Sequence, residues 1–194
     1  MIDVFNEIKP LLNFKTEDDF YYLQILQRKK ENPQLGSNSR VIKNYYIDSI
    51  EYLEERYNEI KSLCHQFNAR AMLRLNKRSY RKVAFKTMQN IANSMANGNY
   101  LSIKKSYDRA CGDGHNDKHK KYILDIDGEF DNMWLCSLIE HINNIEPKGD
   151  KIIIQLKTKN GIHLITKPFR VDILNESYFN VDIHKDNPIN LYIP

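Results

Sequence analysis

The chain has 194 residues, 41% hydrophobic and 28% charged, with a formal net charge of +4. This is the composition of one globular domain, or of one domain with an extension, and it excludes a disordered or fibrous chain. The longest apolar runs, such as KIIIQL at 151–156, are far too short to span a bilayer.

The N-terminus, MIDVFNEIKPLLNF, carries acids and lacks the basic segment and apolar core of a secretion signal. Cys64, Cys111 and Cys136 are an odd, sparse set without a disulfide framework. Both features predict a cytoplasmic protein, in the host cytoplasm if it is viral, with no membrane partner.

Taken in chain order, residues 1–67 are expected to form a helical N-terminal region packed on the core, broken near Pro10 and at NPQLGSNS. Ile47, Ile50, Leu53, Tyr57, Ile60 and Leu63 recur at helical spacing and predict a buried stripe. Residues 68–194 are expected to be an α+β core. ARAMLRLN (69–76) alternates as a strand does. SYRKVAFKTMQNIANSMANG follows as a helix, capped by Asn76 or Ser79, with Ala84, Met88, Ile91, Ala92 and Met95 inward.

Charge is unevenly distributed along this part. From Ile60 to Tyr107 there is no Asp or Glu, yet there are ten Lys or Arg. Arg74, Lys77, Arg78, Arg81 and Lys82 cluster around the start of the predicted helix, where cations oppose the helix dipole. Such a cluster predicts an anion site, hence contact with nucleic acid or nucleotide phosphates. Tyr80, Phe85, Tyr100 and Tyr107 lie in the same stretch and are candidates for base stacking.

The C-terminal unit, 120–194, reads β-α-β-β-α-β, the ferredoxin-like or RRM-like order. KYILDID is the first strand and MWLCSLIEHINNI the first helix. KIIIQLKT and GIHLITKP form a hairpin joined at Lys159-Asn160-Gly161. VDILNESYF holds a second helix, and NVDIH opens the last strand. In that fold the first strand lies between the third and the fourth. Side chains alternate along a strand, so Asp125, Asp127, His163 and Asp182 are expected on one open face. Converging carboxylates suit Mg²⁺ or Mn²⁺. Asp186 shares the strand parity of Asp182 and is the alternative third carboxylate.

These residues resemble the archaeo-eukaryotic primases and their primase-polymerase relatives. That family has a strand ending in hydrophobic-Asp-hydrophobic-Asp, here Ile123 to Asp127. It has a small-residue turn before a His, here Lys159-Asn160-Gly161-Ile162-His163, where many relatives carry Ser or Gly-Gly. A later hydrophobic-Asp is Val181-Asp182. The resemblance implies that Asp125, Asp127 and Asp182 bind two divalent cations and that His163 contacts the incoming nucleotide's phosphates; Lys157 and Lys159 are further candidates for nucleotide or nucleic-acid contact. It implies attack of a 3′-hydroxyl on the α-phosphate of a nucleoside triphosphate. Small size and Asn/Lys/Ile-rich usage suit a phage or mobile-element replication protein that works with other replication proteins.

Other chemistries fit parts of the same residues. An RRM-like or inactive primase-like module would bind nucleic acid or nucleotide without reaction. A metal-dependent nuclease would want a paired-His motif, and His163 has no His two residues away. Asp125-Ile126-Asp127-Gly128 also resembles the start of haloacid-dehalogenase-type phosphatases, although Glu129 stands where that family has Thr. Cys111, His115 and His119, with Cys64 or His65, have the residue types of a Zn²⁺ site.

Overall fold

The run DFYYLQILQ is dense in aromatic and branched side chains, and it forms a nine-residue strand, Asp19–Gln27, buried along most of its length. The computed structural model describes every residue except Ser37, residues 114–118 and Asn180. Among the described residues the chain is α+β, with six α-helices and two antiparallel-paired sheets. It divides into two units, one of residues 3–116 with 190–194, the other of residues 117–189.

In the first unit, β1 (Ile2–Asp3), α1 (Phe5–Ile8), β2 (Asp19–Gln27) and β3 (Arg40–Ile47) precede α2 (Ile50–Phe67). The segment expected to be helical is thus largely sheet up to Ile47. The periodic stripe does form a helix from Ile50 onward, with Leu53, Tyr57, Ile60 and Cys64 buried. β4 (Arg70–Arg74) and β5 (Arg78–Ser79) follow, then α3 (Tyr80–Ala96) and α4 (Ser106–Gly112). The last strand, β10 (Pro188–Ile193), gives the order β1-β10-β4-β2-β3, with β5 also pairing β2. Helix α2 contacts β2, β3 and β4. Phe20 and Tyr22 of β2 pack with Val83, Ala110 and Cys111 of α3 and α4.

Helix α3 begins where the sequence places its cap: Ser79 Oγ accepts from Lys82 N at 3.1 Å. Its buried face differs from the apolar stripe. Val83, Asn90 and Ser94 are buried, whereas Met88 and Met95 are 66% and 55% exposed. The reason is polar pairing. Asn90 Nδ2 donates to Ser106 O at 3.3 Å, and Ser102 Oγ donates to Ser94 Oγ at 2.8 Å. These bonds satisfy a polar face that apolar periodicity does not reveal.

The second unit holds β6 (Tyr122–Asp127), α5 (Asn132–Asn144), β7 (Ile152–Lys157), β8 (Gly161–Thr166), α6 (Val171–Asn175) and β9 (Asp182–His184). Its strand order is β7-β8-β6-β9, so β6 lies between β8 and β9. Leu124, Ile126, Ile162 and Leu164 pack against Leu138 and Ile142 of α5 and Leu174 of α6. Each such buried side chain contributes about 2 kcal/mol before the entropy of ordering it. Residues 190–194 leave this unit and belong to the other, so the C-terminal unit is shorter than the 120–194 expected.

Candidate functional site

Strand β6 alternates because its even-numbered residues meet the helices. Leu124 and Ile126 are in the core, which turns Asp125 and Asp127 to the opposite face. The register then decides their neighbours. Asp125 pairs with His163 on β8 and with Asp182 on β9, and directly opposed residues share a face. The three form a row, His163–Asp125–Asp182, across adjacent strands, with Asp127 two residues along β6.

His163 Nε2 lies 3.2 Å from Asp125 Oδ1. The imidazole is buried and Asp125 is half-buried, while Asp127 and Asp182 are exposed. Burial holds His163 below its ordinary pKa, and outweighs the pull of the Asp125 carboxylate and of the hydrogen bond between them. The ring is therefore neutral at pH 7, and donation from Nε2 to Asp125 leaves Nδ1 as an acceptor. His184 lies across β6 opposite Ile123, on the same face as this row, and its charge also lowers the His163 pKa. It was not among the sequence candidates, although it has the strand parity of Asp182.

Gly161 makes this register possible. It pairs with Asp127, and a Cβ at Gly161 would stand 1.9 Å from Ile126 O. Only glycine admits that approach. The turn closes through Thr158 N to Gly161 O and Gly128 N to Asn160 O, both 3.0 Å.

Register separates Asp182 from Asp186. Asp182 faces Asp125, whereas Asp186 lies beyond the end of β9 in a bend. Among the described residues, no three His, Cys, Asp or Glu side chains converge as a metal-holding group.

The basic residues fare unequally. Arg78 is 1% exposed, and its guanidinium donates to Cys111 O at 2.8 Å and Asn76 O at 2.7 Å. Its expected role at a phosphate is corrected: burial in the fold removes it from any such contact. Lys77 is held by Asp19 at 2.6 Å and is mostly buried. The anion at the α3 N-terminus is the chain's own Asp18, which accepts from Arg81 N at 2.8 Å and from Ser79 Oγ at 2.5 Å. Those bonds hold its carboxyl below the usual range. Arg81 and Lys82 project into solvent, and Arg74 is half-buried. Lys159 is exposed at the hairpin turn. Lys157 pairs with Ile162, so its register differs from that of His163, and it is exposed at the end of β7.

Tyr80 stacks on Phe20 at 4.3 Å and Tyr107 meets Tyr46 edge-on at 5.3 Å, while Phe85 and Tyr100 are exposed. Cys111 is fully buried, and burial pushes its thiol up to about 12, against the deprotonation that a zinc thiolate needs. His119 is exposed, and His115 lies outside the described residues.

Comparison with protein-family models, with curated proteins and with solved structures finds no match. Among the described residues, no helix is long and apolar enough to cross a membrane.

Proposed function

We propose that the chain is a metal-dependent nucleotidyltransferase of primase or primase-polymerase type, acting on nucleic acid with nucleoside triphosphates. The row His163–Asp125–Asp182, with Asp127 beside it, carries this reading. The β6-α5-β7-β8-α6-β9 order and the β7-β8-β6-β9 arrangement support taking the unit as RRM-like.

In donor type, though not in convergence, the set suits Mg²⁺ or Mn²⁺. Asp125, Asp127 and Asp182 offer carboxylate oxygens on one face, two of them on exposed side chains, as hard cations require. When bound, the metal ions stabilise charge on the attacking and leaving oxygens of a phosphoryl displacement. The chain's own residues do the positioning. Asp125 is anchored by the buried His163, so one carboxylate is fixed while Asp127 and Asp182 adjust around it. In the nucleotide complex the single Nε2–H of His163 would turn from Asp125 to the substrate phosphates, the carboxylate then being held by the cations. Within this unit, exposed Lys159 at the hairpin turn adds positive charge for nucleic acid; in the other unit, Arg81 and Lys82 are exposed at the α3 start.

The test is incorporation of labelled nucleotides on a primed template with Mn²⁺. Asp125→Asn and Asp127→Asn should each lower it by about 100-fold or more, with unchanged circular dichroism. Wild-type protein that incorporates nothing on DNA or RNA templates would sink the proposal.

One observation favours a second reading, a binding module without chemistry: no three of these side chains converge as a metal group among the described residues. That reading expects salt-sensitive nucleic-acid binding that is indifferent to Asp125→Asn. Arg81→Gln with Lys82→Gln should lessen the slope of log affinity against log salt by about 1.5.

A further inference from the structure

The polar side of α3 borders an open surface pocket that the aspartate row does not explain, with Asn93, Asn97, Asn99 and Arg109 exposed in its lining. Its volume is about 210 Å³. Asn90, Asn93, Ser94 and Asn97 line it from α3, and Asn99, Ser102 and Arg109 close the other side. No carboxylate lines it, and it lies within the acid-free stretch and its immediate border.

The walls are held in place by hydrogen bonds that do not use up the donors. Ser102 Oγ lies 2.8 Å from both Ser94 Oγ and Asn99 O, its one proton shared between them, and Asn99 N donates to Ser94 O at 2.8 Å. Asn90 donates to Ser106 O, and Asn97 Nδ2 to Asn93 O at 2.8 Å. The side-chain amides of Asn93 and Asn99 and the Arg109 guanidinium have no partner among the described residues. The neighbouring acids are engaged elsewhere: Asp108 accepts from Tyr46 Oη at 2.6 Å, and Asp113 lies 3.8 Å from Lys86.

One cation with a planar fork of donors, ringed by amides and hydroxyls and free of competing carboxylates, is the chemistry that recognises an oxyanion. We propose that this pocket binds a phosphate group, with Arg109 as the charged anchor and Asn93 and Asn99 as neutral donors. A free phosphate, a nucleotide and a nucleic-acid backbone all carry that group. The inference is independent of the aspartate row.

The experiment is an NMR titration of the full chain at constant ionic strength, following the side-chain resonances of Asn93, Asn97, Asn99 and Arg109. Three probes are used: inorganic phosphate, a nucleoside 5′-monophosphate, and an oligothymidylate without terminal phosphates. At least one probe should shift these resonances saturably, and the tightest identifies the source of the phosphate. Arg109→Gln should weaken that probe by about tenfold or more, and Arg109→Lys by less. Lys148→Gln, an exposed cation elsewhere, should leave affinity unchanged. Asp125→Asn should also bind normally, which separates this site from the proposed reaction. If Arg109→Gln is misfolded, Asn99→Ala takes its place, with a several-fold loss expected. Absence of saturable shifts with all three probes, or wild-type affinity in the folded variant, overturns the proposal.

Discussion

His163 Nε2 and Asp125 Oδ1 stand 3.2 Å apart across the β6–β8 pair, joining a buried imidazole to a half-buried carboxylate. His163→Gln keeps an amide donor at that position, so the fold should lose only about 1 kcal/mol in urea titration. Nucleotide incorporation should nevertheless fall at least tenfold, mainly through a higher KM for the nucleoside triphosphate. An unchanged KM would remove His163 from phosphate contact and leave it as the support of Asp125.

Gly161→Ala tests whether register builds the site. The added Cβ meets the Ile126 backbone carbonyl, which cannot swing away as a side chain does. The variant should be destabilised by about 2–3 kcal/mol, read from the urea midpoint. It should also lose incorporation, because the strand that carries His163 must shift against Asp125 and Asp127. A variant of wild-type stability and activity would show that the hairpin is held elsewhere.

Arg78 and Arg81 differ by only three positions and should respond in opposite ways. Arg78→Met leaves two buried carbonyl oxygens without their donor, and should cost about 3 kcal/mol in chemical denaturation. Arg81 is exposed, and its backbone N–H donates to Asp18. Arg81→Gln should leave stability within about 0.5 kcal/mol while lowering nucleic-acid affinity at low salt.

Asp19 supplies a pH dependence. Burial pulls its carboxyl upward, but the Lys77 ammonium and the N–H groups of Lys15 and Thr16 outweigh it, and the net shift is downward. A depressed carboxylate pKa means that the unfolded state takes up the proton first as pH falls. The stabilisation is therefore complete above the unfolded value of about 4 and is lost as pH drops through the folded value. In Lys77→Met the acid limb of the stability curve, measured by thermal unfolding between about pH 5 and pH 2, should be shallower. Superimposable limbs would show that the ion pair contributes nothing.

The C-terminal unit was more legible than the N-terminal half for a physical reason. In residues 121–184 the strands are short and punctuated by turn residues, and in β6 Leu124 and Ile126 interleave with Asp125 and Asp127, so local pattern coincides with tertiary placement there. In DFYYLQILQ the consecutive residues Phe20 to Leu23 are all buried, so both faces are covered, and periodicity cannot tell a central strand from a buried helix. Helix α3 defeats the apolar rule differently, since its inward face is completed by Asn90 and Ser94 paired with Ser106 and Ser102.

The aspartate pair returns the same lesson at the scale of the site. By itself the sequence determined that Asp125 and Asp127 share one side of a strand, because alternation is a property of the extended backbone. It also determined that a glycine precedes the strand of His163. Only the tertiary structure decided that His163 and Asp182 are the residues opposite Asp125, that His184 joins their face, and that Asp186 does not. Only it showed that Arg78 is spent inside the fold and that Asp18 occupies the α3 N-terminus. Register and burial arise from contacts between residues far apart in the chain, and no local pattern encodes them.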